Sequence, residues 1–177
     1  GSDDAQENEI RMLHAAIQKC GRPIVLSLSP GPALLNRGSL YVKYANMWRV
    51  TGDFWDNWEQ LKDMFDRCEK WESFVKKGCY PDCDMLPLGW IGKEFLQERR
   101  TRFTMAEQET MMTLWCICHS PLFLGAELTR LEDDTLALIT NEEVLHLDQT
   151  MDNTVFQMYK DEKKVIWISG EKDDETF

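Results

Sequence analysis

Carboxylates recur in this chain at the spacing of a strand–helix unit, and that recurrence constrains its fold more than any other feature. The stretch from Tyr44 to Trp58, YANMWRVTGDFWDNW, sets Arg49 four residues before Asp53, between aromatics able to wall a sugar-sized pocket. A second acidic element, Tyr80-Pro81-Asp82-Cys83-Asp84-Met85-Leu86, follows about one strand–helix repeat later. Side chains repeated at this interval collect at one end of a sheet, where α/β folds place their chemistry.

The hydrophobic pattern divides the remaining sequence into similar units. Asp3-Asp4 can cap a helix running to about Lys19, with Ile10, Leu13, Ile17 and Met12 or Ala16 on one face. Gly21 stops it, Pro23–Leu28 reads as a fully buried strand, and Ser29-Pro30-Gly31-Pro32 breaks into a loop. A short strand near Ala45–Arg49 leads through Asp53 into a helix from about Phe54 to Trp71, with Trp58, Leu61, Phe65 and Cys68 as its apolar stripe. A third unit runs from about Phe74 through Asp82–Asp84. Thr104 and Glu107 form a capping box for a helix from about Met105 to His119. Pro121–Leu124 reads as a fourth buried strand, and a last helix is expected near Asp133–Ile139. Four strand–helix repeats predict a parallel α/β arrangement. After Asp148 the pattern changes: Val155–Tyr159 and Val165–Ile168, joined by a charged turn at Lys160–Lys164, predict a β-hairpin. The chain then ends at Phe177 in what reads as mid-element, so a cut-out from a longer protein is expected.

Composition narrows the partners. By length the 177 residues fit one ordinary domain, and 43% hydrophobic content with seven Trp and eight Phe supplies a sizeable core. A net charge of −11 without a Lys/Arg stripe argues against nucleic acid. No segment approaches the ~20 apolar residues of a membrane span. The Cys79-x3-Cys83 and Cys116-x-Cys118 pairs sit in apolar elements without a His pair at zinc-finger spacing, so buried thiols are expected and no metal or cofactor. His14, His119 and His146 have no triad or metal spacing and read as structural or surface residues.

Five segments, GRPIVLSLSPG, YANMWRVTGDFWDNW, GCYPDCDMLPLG, EQETMMTLWCICHSPLFLGAEL and LALITNEEVLHLDQ, resemble the α-galactosidase / α-N-acetylgalactosaminidase family, glycoside hydrolase family twenty-seven, in family order. The resemblance implies a (β/α)8 TIM barrel followed by an antiparallel β domain. Residues 1–149 would supply strands five to eight of the barrel, and 150–177 the truncated opening of the β domain. It also implies hydrolysis of a terminal α-linked galactose or related sugar with retention, which needs two carboxylates about 5–5.5 Å apart.

By that resemblance Asp53 matches the acid/base, Arg49 the contact near C2 of the sugar, and Asp84 and Met85 the pocket lining. The family's nucleophile lies in a K-x-D setting that does not precede the first helix here, so this chain alone is expected to be inactive. Ser29 stands where α-galactosidases commonly carry Glu and α-N-acetylgalactosaminidases Ser, although Pro30-Gly31-Pro32 replaces the Trp-Pro-Ala of the latter. A galactosidase is the leading expectation. The alternatives are an α-N-acetylgalactosaminidase, a β-L-arabinopyranosidase, an enzyme on isomaltose-type glucans, or a non-catalytic carbohydrate-binding shell. Self-association through exposed half-barrel edges and an extracytoplasmic home are expected too.

Without the family, Asp53 reads as the cap of a helix beginning near Trp55, and Arg49 as a structural partner of Asp53 or Asp56. Asp82 and Asp84 flank Cys83 and would point the same way on an extended chain, one toward the pocket and one tying the loop. Trp48, Trp55, Trp58, Trp71 and Trp90 read mostly as core.

Overall fold

The computed structural model describes residues 2–94, 97–150 and 154–170. Helix α1 (Ser2–Lys19) precedes strand β1 (Ser27–Leu28), helix α2 (Gly38–Tyr44) leads into β2 (Met47–Arg49), and α3 (Trp58–Trp71) into β3 (Tyr80–Asp82). These strands form a parallel sheet in chain order, β1-β2-β3, and Leu86 extends it by a parallel bridge to Leu124. Strands β4 (Trp90–Glu94) and β5 (Gln97–Arg100) make an antiparallel hairpin ahead of α4 (Met105–Ile117). Helices α5 (Asp133–Ile139) and α6 (Glu142–Gln149) follow, and β6 (Thr154–Lys160) pairs antiparallel with β7 (Val165–Gly170). The α/β reading, the capping box of α4 and the final hairpin stand as expected from the sequence.

The core lies between the sheet and its helices. Trp48 of β2 is wholly buried, stacked on Tyr41 at 5.8 Å and tilted against Trp71 at 5.9 Å. Phe54 meets Trp115 of α4 at 5.0 Å. Each fully buried large side chain of this kind contributes about 1.5–3 kcal/mol of transfer free energy. Gly38 is needed for contact rather than flexibility: a Cβ there would lie 2.3 Å from the Phe74 ring. The hairpin β6–β7 is fastened to α3, with Lys160 Nζ donating to Asp66 at 2.6 Å and Glu69 at 2.7 Å.

Several elements differ from expectation. Helix α3 starts at Trp58, capped by Asn57, whose Oδ1 accepts from the amides of Glu59 and Gln60 at 2.9 and 3.2 Å. Phe54 and Asp56 are held out of the helix by bonds to distant residues, described below. The inward stripe of α3 is Leu61, Met64, Cys68 and Trp71, whereas Trp58 is 41% exposed. Of Pro23–Leu28, only Ser27 and Leu28 pair as a strand, and Ile24 and Val25 are exposed. Pro121–Leu124 contributes one bridge, with Phe123 and Leu124 exposed. These two segments occupy the margins of the sheet, and among the described residues no strand lies beyond them to bury their side chains. Met12 and Leu13 of α1 are likewise exposed, leaving Ile10 as its buried anchor. The charged hairpin β4–β5 was not foreseen. The expectation that the chain breaks off in mid-element concerns Phe177, outside the described residues.

Candidate active site

Parallel strands bring their C-terminal ends to one side of the sheet, and three of the five expected site residues meet there. Arg49 ends β2. Its Nη2 donates to Asp53 Oδ1 at 2.7 Å, its Nε to the carbonyl of Thr51 at 3.3 Å, and its Nη1 lies 3.6 Å from Asp84 Oδ1. The guanidinium therefore bridges the loop after β2 and the loop after β3. Its side chain is 18% exposed and that of Asp84 19%, whereas Asp53 is 80% exposed. Of the two carboxylates on Arg49, Asp53 is thus the one open to an incoming molecule.

Asp84 is a holding group. Its Oδ2 accepts the amide of Phe54 at 2.7 Å, and its carbonyl accepts the indole N–H of Trp115 at 3.0 Å. Its φ of 76° lies in the left-handed region, which Asp tolerates better than most residues. That twist breaks the extended run expected across Asp82–Asp84. Asp82 is buried and ties down the turn, its Oδ1 accepting the Asp84 amide at 2.8 Å. Burial pushes the Asp82 carboxyl up; the Asp84 amide and Arg49 pull it down, while the charge of Asp84 adds to the rise.

The residues just after Asp53 are fastened by a partner that the local sequence does not reveal. Asp56, with no exposed side-chain surface, accepts Arg99 Nη1 at 2.5 Å and Nη2 at 2.9 Å, and the amide of Arg102 at 2.6 Å. Burial raises the Asp56 carboxyl, but the Arg99 fork and the Arg102 amide outweigh it and hold the group below its ordinary value. Arg99 belongs to the unforeseen hairpin, so β4–β5 clamps the loop that carries Asp53. Asp56, which the sequence alone offers as a partner for Arg49, pairs with Arg99 instead. Because Asn57 caps α3, Asp53 is not that helix's cap.

Met85 lies beside this corner, packed so closely on Gly125 that a Cβ there would come within 2.7 Å of its sulfur. Ser29 is not joined to the Arg49 cluster. It is exposed in the loop after β1 and borders a separate depression of about 180 Å³ with Gln6, Glu9, Ile10 and Leu13. Trp90 is half-buried under the guanidinium of Arg130, 3.8 Å from its ring centre. All six cysteines are free thiols, Cys68, Cys83, Cys116 and Cys118 being buried. Among the described residues no group of His, Cys, Asp and Glu is arranged to hold a metal ion, and no helix is long and apolar enough to cross a membrane.

Known proteins share this fold. The sequence model of the family described as alpha galactosidase A matches residues 2–150. The chain superposes on a β-L-arabinopyranosidase of glycoside hydrolase family 27 from Geobacillus stearothermophilus with a TM-score of 0.88 and 52% identity, covering 94% of this chain and 39% of that one. A variant of that enzyme has been solved in complex with arabinose. A Bacillus halodurans protein described as an α-N-acetylgalactosaminidase is 46% identical over 93% of this chain and 38% of its own, with a TM-score of 0.73. The α-galactosidase of Cyamopsis tetragonoloba is 30% identical over 76% of this chain and 30% of its own. The 177 residues thus span about two fifths or less of these relatives. With a family match running through nearly all of the sheet and its helices, the chain belongs to the α-galactosidase family, glycoside hydrolase family 27.

Proposed function

We propose that these residues are part of a retaining exo-glycosidase in which Asp53 is the general acid/base. The observation that carries the reading is the position of Asp53 at a strand end, its carboxylate exposed and oriented by Arg49 instead of capping α3. In the first step Asp53 protonates the glycosidic oxygen while a carboxylate attacks the anomeric carbon; in the second it takes a proton from water. Arg49 binds the sugar near C2, and Asp84 and Met85 line the pocket. The nucleophile comes from outside the 177 residues, since Asp84 already serves the Phe54 amide and Arg49. In the same proposal β1, β2, β3 and the segment ending at Leu124 are strands five to eight of a (β/α)8 barrel. Residues 1–149 then belong to that barrel and 150–177 to the start of a β domain.

The substrate class proposed is a terminal pyranoside of galactose configuration, and the likeness to the Geobacillus enzyme favours the β-L-arabinopyranoside. That sugar has the ring stereochemistry of an α-D-galactoside without the hydroxymethyl group on C5. A second reading, an N-acetylgalactosaminide, is favoured by Ser29 together with the Bacillus halodurans relative.

The test is a substrate panel of aryl β-L-arabinopyranoside, α-galactoside and α-N-acetylgalactosaminide. The 177-residue chain alone turns over none of them; joined to the portion of the Geobacillus enzyme that it does not cover, it hydrolyses the first fastest. In the joined enzyme Asp53→Asn lowers kcat about 10²–10⁴-fold, with a smaller loss for leaving groups that need no protonation. A joined Asp53→Asn enzyme of undiminished activity would sink the acid/base role. The exposed Ile24 and Val25 support a further part of the proposal, self-association, which light scattering at micromolar concentration tests and a monodisperse monomer refutes.

A further inference from the structure

Helix α3 and the loop after β3 meet through sulfur. Cys68 Sγ lies 3.7 Å from Cys83 Sγ, the two residues being 15 apart in the chain. Cys68 also shares a hydrogen bond with the thiol of Cys118, just past the end of α4, so three thiols form one cluster. All three residues are buried, and all three border a cavity of about 350 Å³ that Val155 and Trp167 of hairpin β6–β7 also line. Two of the other cysteines are placed differently. Cys79 donates to the carbonyl of Val42 at 3.4 Å, and Cys20, which is exposed, to that of Ile17 at 3.0 Å.

Buried free cysteines usually act as small hydrophobes. Contact between two of them adds a reaction that neither could carry out alone. Closing the gap between Cys68 and Cys83 to a covalent bond takes a shift of under about 1 Å at each sulfur. The pair is held in place from both sides. Cys68 belongs to the inward stripe of α3 with Leu61, Met64 and Trp71, and the amide of Cys83 donates to Ser120 Oγ at 2.9 Å. The bond with Cys118 and burial push the Cys68 thiol well up, against a downward pull from Cys83. The bond with Cys68 and burial likewise push up Cys83. Both groups therefore rest as thiols at neutral pH and react faster in base, where thiolates appear.

We propose that Cys68 and Cys83 are a modification site, closing to a reversible disulfide when the folded chain meets a small organic disulfide, RSSR. One thiolate of the pair attacks a sulfur of RSSR and expels RS⁻; the other then attacks the resulting mixed disulfide and expels the second RS⁻. Two protein thiols are oxidised to one disulfide, RSSR is reduced to two RSH, and the two thiol protons end on the leaving groups. The bridge ties α3 to the residue between Asp82 and Asp84. It thereby fixes the loop whose Asp84 carboxylate holds Phe54 and Arg49. It does not depend on the role proposed for Asp53.

The experiment is treatment of the folded 177-residue chain with hydroxyethyl disulfide, then an acid quench and peptide mapping by mass spectrometry, repeated on Cys68→Ser, Cys83→Ser and Cys118→Ser. The expected product is a pair of peptides joined through Cys68 and Cys83 and released by dithiothreitol. It forms about tenfold faster for each pH unit between about 7 and 9. It is absent in Cys68→Ser and Cys83→Ser and kept in Cys118→Ser. Because the bridge closes a loop of about 15 residues, it raises the thermal midpoint on the order of 10 °C. Exposed Cys20 reports that the reagent is active. Modification of Cys20 with Cys68 and Cys83 still free overturns the proposal. So do mixed disulfides that never close, a bridge from either residue to Cys118 or another cysteine, a bridge that forms only in urea, and a bridge that leaves the midpoint unraised. Should a serine variant fail to fold, the wild-type map decides, since it names both bonded residues.

Discussion

Asp53 and Asp56 stand three residues apart in one loop and each meets an arginine, yet the two pairs have opposite characters. Asp53 is 80% exposed and receives one nitrogen of Arg49, a neighbour on the same stretch of chain. Asp56 has no exposed side-chain surface and receives both nitrogens of the Arg99 fork and a backbone amide from the segment after it. The first pair leaves lone pairs free for a guest, and the second uses its capacity to bind two segments of the fold together. Exposed pairs contribute at most about 1 kcal/mol. Removing one partner of a buried pair costs about 3–5 kcal/mol, because the other charge is stranded. One loop thus has a fastened end and a presenting end, and the arginine that fastens it comes from an added hairpin.

Breaking the fastened end gives the largest expected effect. Asp56→Ala lowers stability by about 3–5 kcal/mol, a drop in thermal midpoint on the order of 10 °C for a domain of this size. Removing Arg99 as well restores part of it, as a double-mutant cycle reads. The pH dependence has a fixed sign. The folded Asp56 carboxyl lies below its ordinary 3.8, so its contribution is fully present above pH 3.8 and is lost as pH falls through the lowered folded value. The gap between wild type and Asp56→Asn therefore closes in acid.

Asp148 sharpens the contrast, being a part-buried carboxyl whose shift has no cationic cause. Burial alone raises it from 3.8 to about 6. Its sign is the reverse: the favourable contribution is complete below pH 3.8 and lost as pH rises through about 6. Asp148→Asn stabilises the chain above pH 6, by about 1 kcal/mol once solvent screening is allowed for, as melts across pH 4–8 would record. The smallest effect belongs to the presenting end. Asp53→Ala shifts stability by less than about 1 kcal/mol, diminishing with added salt. Equal destabilisation by Asp53→Ala and Asp56→Ala would erase the distinction between the two pairs.

The legible features were local or repetitive. The four-residue interval from Arg49 to Asp53, the Thr104–Glu107 box and the alternation in Val155–Tyr159 each encode their structure within a few residues. The meeting of Arg49 with Asp84 followed from the strand–helix interval, because equivalent strand ends lie side by side in a parallel sheet. The Asp56–Arg99 clamp was not legible: its partners are far apart in sequence, and Arg99 sits in a charged run without strand-like alternation. The start of α3 was misplaced for the same reason, since Asp84 draws the Phe54 amide away from helical pairing. Ile24 and Val25 have the composition of an interior strand, but burial depends on what lies across from them, which no single strand encodes. Ser29 shares the strand-end position of Arg49 and still does not touch it.

Asp84 combines a left-handed backbone with a carboxylate that serves both Phe54 and Arg49. A saturation mutagenesis library would therefore meet two filters at this one codon. The backbone filter passes Gly, Asn and Asp; the charge filter passes only acids; their overlap is a single letter. Asn and Glu fail for different reasons, Asn keeping the turn while losing the charge and Glu the reverse. The ranking of those two among surviving clones would reveal whether selection at this position acts on the backbone of the turn or on the charge beside Arg49.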